Sequence, residues 1–121
     1  MGVFRSKPLP EEWVVVKVVP DTRKTKQGSD FVFEVDGDLC PELRVLRGTA
    51  LHFDQTHQSN RGHPLYICSG PMGAGTNEMP SVKTRCSNNV LRVEIGRTAP
   101  DKLCYGCRNH GFEGSLIVVV D

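Results

Sequence analysis

The chain has 121 residues, with 15 basic against 14 acidic side chains, 38% hydrophobic residues, 12 Gly and 8 Pro. That length holds one domain, and a net charge of +1 excludes both the basic excess of a nucleic-acid binder and charge-driven disorder. The longest apolar runs, 13–16 and 116–120, fall far short of the roughly 20 residues that cross a bilayer, so no membrane span is predicted.

In chain order, residues 1–10 read as an N-terminal tail containing Pro8 and Pro10, and residues 11–121 as a single domain. The tail has no apolar h-region, so it is not read as a signal peptide. Gly2 and Ser6 fit the N-myristoylation pattern, a short match that also arises by accident. A Val-rich strand over 13–19 stops at Pro20, and a polar, basic loop follows over 21–29. Phe31, Phe33 and Val35 alternate before Asp36-Gly37, and Leu43 and Val45 alternate with Glu42 and Arg44. Gly48 permits a turn into a strand in which Leu51 and Phe53 share one face, leaving His52 on the other and exposed. A short apolar run covers 65–68, whereas 69–89 is too rich in Gly, Pro, Ser and Asn for a long element. Leu91, Val93 and Ile95 alternate again, and the runs 103–107 and 116–120 complete the set. With no convincing 3.6-residue period, about eight short strands predict an all-β sandwich.

Five cysteines stand out in so short a chain. Cys107, His110 and Glu113 recur at intervals of three on a loop between two strands, so one loop can aim all three side chains at one ion. A thiolate and an imidazole, joined by a second imidazole from elsewhere, make the trigonal His2Cys set that suits copper. Cys104 and Cys107 also form a Cys-x2-Cys pair. A redox reading of that pair wants a helix N-terminus, and a structural zinc site wants a second spaced pair; neither is present. Assigning Cys107 to a metal leaves Cys40, Cys68, Cys86 and Cys104, whose three possible pairings sequence does not separate. Tying the ends of the irregular loop favours Cys68–Cys86, with Cys40–Cys104 as the second bond. Disulfides imply an oxidising, extracellular or periplasmic setting, which counts against the lipid pattern at Gly2.

A strand, Cys107-x2-His110-x2-Glu113, a Gly and a Val-rich terminal strand resemble the copper loop of short-loop cupredoxins. Upstream, residues 43–53 resemble the strands before the first copper histidine, and Asn60-Arg-Gly-His63-Pro-Leu sits where that histidine is expected. The resemblance covers roughly 31–121 and implies a Greek-key β-sandwich with copper at one end. It implies His63, Cys107 and His110 as equatorial ligands and places Glu113 where the axial Met usually stands. His57 is the reserve for the first ligand. A carboxylate is harder than a thioether, so it favours Cu(II), lowers the potential and eases substitution by zinc or cobalt. Pro64 replaces the Asn common after the histidine, leaving Asn60 or Asn109 to steady the thiolate loop.

Three functions follow. The first is one-electron transfer at a Cu(I)/Cu(II) site to a redox partner protein, docking through an apolar patch that includes Pro64 or Phe112. The second is a secreted binding, structural or metal-storage module that does not cycle. The third is an enzyme with an open coordination place, for which no acid/base pair or substrate motif speaks.

Overall fold

The computed structural model describes residues 9–23, 30–68, 81–110 and 113–121. Its strands are β1 (Glu11–Pro20), β2 (Phe31–Val35), β3 (Asp38–Leu39), β4 (Leu43–Leu46), β5 (Ala50–Asp54), β6 (Leu65–Cys68), β7 (Val82–Ser87), β8 (Val90–Ile95), β9 (Lys102–Cys107) and β10 (Leu116–Val120). A 3-10 turn spans Gln58–Asn60. One sheet runs in the order β3-β2-β1-β5-β8-β7 and the other β4-β10-β9-β6. The β1–β5 and β4–β10 pairs are parallel, and the remaining pairs are antiparallel. The all-β sandwich is present, with ten described strands where the sequence pattern predicts about eight.

The additional strand β7 lies inside 69–89, the stretch read as too broken for a long element, and is six residues long. Five of its six residues are exposed, so it carries no alternation of apolar and polar residues to read. It is held instead by backbone pairing to β8. The connecting turn works because Asn88 (φ 51°) and Asn89 (φ 62°) both accept the left-handed region that a tight hairpin needs. Asp36 (φ 49°) and Gly37 (φ 90°) join β2 to β3 in the same way.

Strand β1 changes partners midway. Residues 11–15 pair with β5, and residues 16–20 pair with β2. Where β5 falls away, the 3-10 turn takes its place: Asn60 Nδ2 donates to the Val16 carbonyl (2.8 Å), and the Val18 N–H donates to Ser59 Oγ (3.0 Å). On the other edge the Val15 N–H donates to Asp36 Oδ1 (2.7 Å). Side chains thus satisfy backbone groups that no neighbouring strand reaches.

The core joins Val16, Phe33, Phe53, Val93 and Ile95 of one sheet to Ile67, Leu103, Tyr105, Ile117 and Val119 of the other. Tyr105 is its centre, with ring centroids 6.3 Å from Phe33 and 6.0 Å from Phe53. Its buried hydroxyl donates to the Pro41 carbonyl (2.6 Å), which satisfies the polar end of the side chain. His52 is a further correction. It points away from Leu51 and Phe53 yet is only 7% exposed, because the Trp13 ring stacks on it at 4.1 Å. Glu11 Oε1 holds its Nε2 at 3.0 Å.

Neither expected disulfide forms. The bond joins Cys68 to Cys104, and Cys40, Cys86 and Cys107 are free thiols. Cys68 and Cys104 are register partners on β6 and β9 with Cα atoms 5.1 Å apart, within bonding range. Cys86 lies on an edge strand of the opposite sheet. The Cys40 thiol instead donates to the Gly114 carbonyl at 2.7 Å. Separation along the chain cannot say which sheet each strand joins. Pairing across the sheet decides the bond.

Candidate metal centre

At one end of the sandwich three segments converge: residues 55–65 after β5, residues 107–110 at the end of β9, and Glu113 before β10. Leu65 is the register partner of Cys107, which sets His63 beside the thiol. Glu113 is pinned from below, where the Phe33 N–H donates to its carbonyl (2.8 Å). Gly114 is required for that close approach. A Cβ there would lie 1.9 Å from the Tyr105 carbonyl oxygen, so any side chain would lift the loop off β9.

The four residues His63, Cys107, His110 and Glu113 bring one donor atom each within 4.8 Å of one another. Cys107 Sγ is 3.8 Å from His63 Nδ1 and 3.6 Å from His110 Nδ1. Glu113 Oε1 is 2.7 Å from His63 Nδ1 and 3.3 Å from His110 Nδ1. Bonds of about 2.0 Å to nitrogen or oxygen and 2.3 Å to sulfur in a tetrahedral site set two N/O donors about 3.3 Å apart and nitrogen about 3.5 Å from sulfur. Three of these four distances lie within about 0.3 Å of those values, and the His63–Glu113 pair is closer, at hydrogen-bond length. The donor set therefore fits a single transition-metal ion.

Burial sharpens the case. Glu113 is fully buried and Cys107 nearly so, while the His110 side chain is 46% exposed. The partners of this buried carboxylate are the His63 and His110 imidazoles, and a cation bound among them would offset the cost of its burial. Burial pushes the Cys107 thiol up to about 11, against the lowering effect of the Asn109 backbone N–H. Metal binding there must displace a proton from sulfur.

Backbone and amide contacts tie the ligand segments together. The Arg108 N–H donates to the Pro64 carbonyl (3.0 Å), and Asn109 Nδ2 donates to the Gly62 carbonyl (2.8 Å). Asn109 therefore bridges the two loops, whereas Asn60 faces β1. Gln55, to which the sequence reading gives no role, donates from Nε2 to the His63 carbonyl (2.8 Å) and to Asn60 Oδ1 (3.0 Å). Its Oε1 accepts from the Leu65 N–H (3.0 Å). A polar residue just beyond a strand end, eight positions before a ligand, was the available signal.

The remaining candidates separate from the cluster. The His57 ring caps the 3-10 turn, with Nδ1 2.8 Å from Ser59 Oγ, which removes it as the reserve ligand. Cys104 is disulfide-bonded, so it makes no redox or zinc pair with Cys107. Gly2, Ser6 and Phe112 lie outside the described residues. No described helix is long and apolar enough to cross a membrane. Comparison of the chain with protein-family models, curated proteins and solved structures finds no significant match.

Proposed function

We propose that this chain is a mononuclear copper protein of cupredoxin type that carries single electrons, with His63, Cys107 and His110 as principal ligands and Glu113 as the fourth. One observation carries this reading. Two imidazole Nδ1 atoms, a thiol and a buried carboxylate meet within 4.8 Å, although His63 and Glu113 are 50 residues apart. Copper bound there supplies the Cu(II)/Cu(I) couple. The chain's own part is to hold the donors still. The Arg108 and Asn109 bridges fix the loops, and burial of Cys107 and Glu113 keeps water from the inner side. His110 gives the outer side an exposed edge, flanked by exposed Pro64 and Phe31, where a redox partner protein docks.

The reading is tested by adding Cu(II) to the metal-free protein. Intense thiolate-to-copper visible absorption is expected, and Cys107→Ser should abolish it. A wild-type protein that stays colourless with copper under oxidising conditions sinks the proposal. The Cys68–Cys104 bond supports an extracellular or periplasmic location.

Glu113 favours a second reading, a secreted storage or structural site that does not cycle. A hard carboxylate in place of a thioether stabilises Cu(II), and zinc or cobalt suit the same donors. Reversible voltammetry of the copper-loaded protein decides for the electron carrier, and its absence decides for storage.

A further inference from the structure

We infer that Gln55 is a positioning residue for the copper site, its side-chain amide acting as a clamp that fixes the backbone on both sides of Pro64 and so aims the His63 ring. This deepens the copper reading above and rests on it. His63, Pro64 and Leu65 lead into β6, and proline has no N–H to offer a neighbouring strand. On its outer side β6 is the edge of its sheet, so no described strand there can pair the His63 carbonyl or the Leu65 N–H. Gln55 supplies what is missing. Its Nε2 donates to the His63 carbonyl at 2.8 Å, and its Oε1 accepts from the Leu65 N–H at 3.0 Å. One planar amide thus spans the proline as a peptide unit of an adjacent strand would.

The orientation of the amide is set by its partners. Nε2 faces two acceptors, the His63 carbonyl and Asn60 Oδ1, while Oε1 faces a donor. Reversing it would set oxygen against two oxygens. The clamp is itself anchored. The Gln55 N–H donates to the Asn89 carbonyl at 2.9 Å, and Asn60 Nδ2 donates to the Val16 carbonyl at 2.8 Å. A chain of amides thereby runs from the β7–β8 turn through Gln55 and Asn60 to β1. From the far side the Arg108 N–H holds the Pro64 carbonyl, so the segment carrying His63 is gripped from two directions. Groups that orient a metal ligand without touching the metal are typically worth 10–100-fold in affinity.

Glutamate is the informative replacement, because it keeps the shape but has no hydrogen to give the His63 carbonyl or Asn60. In Gln55→Glu, Cu(II) affinity should fall about 10–100-fold, and the thiolate-to-copper band and the copper paramagnetic resonance spectrum should shift. Gln55→Met keeps the length without the amide and serves if the glutamate variant does not fold. Arg47→Ala, at the opposite end of the sandwich, is the control for mere destabilisation; it should lower the unfolding temperature and leave the spectrum as in wild type. A wild-type band with unshifted spectra and unchanged affinity in both Gln55 variants overturns the clamp alone. Spectral changes in Arg47→Ala equal to those in the Gln55 variants overturn it too. A wild-type protein that takes no copper overturns the copper reading and the clamp with it.

Discussion

The two ends of this sandwich handle charge in opposite ways. At the end away from His63, Arg47 donates from Nε and Nη2 to the Ala99 carbonyl (3.2 and 3.0 Å). It also pairs with Asp121 at 2.9 Å and with Asp101. Both carboxylates are open to water, at 90% and 86% exposure, so each pair by itself adds little. The arrangement is a clasp joining the β4–β5 turn to the C-terminal strand. At the other end, Glu113 is fully buried and faces two imidazoles and a thiol. There the carboxylate lies 2.7 Å from His63 Nδ1 and 3.3 Å from His110 Nδ1, and a bound cation would engage all four donors at once. A clasp satisfies its own charges, whereas a site leaves a charge to be satisfied.

That contrast can be broken or sharpened by experiment. The largest effect is expected from Gly114→Ala, which drives a methyl group into the Tyr105 carbonyl oxygen. It should cost about 3 kcal/mol or more and abolish copper binding, read by denaturant unfolding and copper titration. Removing the staple with Cys68→Ala and Cys104→Ala together frees a loop of 36 residues. The expected cost is about 3–4 kcal/mol, measured as a lower unfolding midpoint under non-reducing conditions. Arg47→Ala should lower the unfolding midpoint by less than either of these changes and leave copper affinity unchanged. A loss of affinity would mean that the two ends are coupled.

The smallest effect is a pH dependence at the metal end. Burial raises the Cys107 thiol from an ordinary 9.0 to about 11 in the metal-free fold. Folding therefore binds the sulfur proton more tightly than the unfolded chain does. The stability linked to Cys107 is present below about 9 and is lost as pH rises toward about 11. Cys40 and Tyr105, both raised by burial, add to the same alkaline slope. Cys107→Ser should flatten the slope in metal-free protein, as followed by urea midpoints across that range. An unchanged slope would show that folding does not raise the thiol.

Much of the fold is legible in the sequence. Phe33 and Val35, and later Leu91, Val93 and Ile95, lie on strands because one face of each meets the opposite sheet, while Phe31 at the strand start is exposed. The cluster of His63, Cys107, His110 and Glu113 could be nominated because its three C-terminal members share one loop. The rest was hidden for definite reasons. Edge strand β7 buries only Val82, so its pattern carries no burial signal. The pairing of Cys68 with Cys104 depends on β6 lying beside β9, a tertiary relation between segments that are remote in the chain. His52 reads as exposed because its cover, Trp13, comes from another strand. Gln55 is one polar residue among many until its amide is seen to straddle Pro64.

The layout of β1 and β10 bears on when the centre comes into being. β10 (Leu116–Val120) lies parallel to β4 (Leu43–Leu46), and β1 lies parallel to β5. Parallel partners cannot be joined by a tight turn, and contacts between distant segments slow folding because loops must close before pairing rewards them. His63 meets Cys107 across 44 residues and Glu113 across 50. During synthesis the chain therefore carries its imidazoles and thiols long before it has a centre. Metal capture at this cluster would then be a late event in folding, one that reports that β10 has docked.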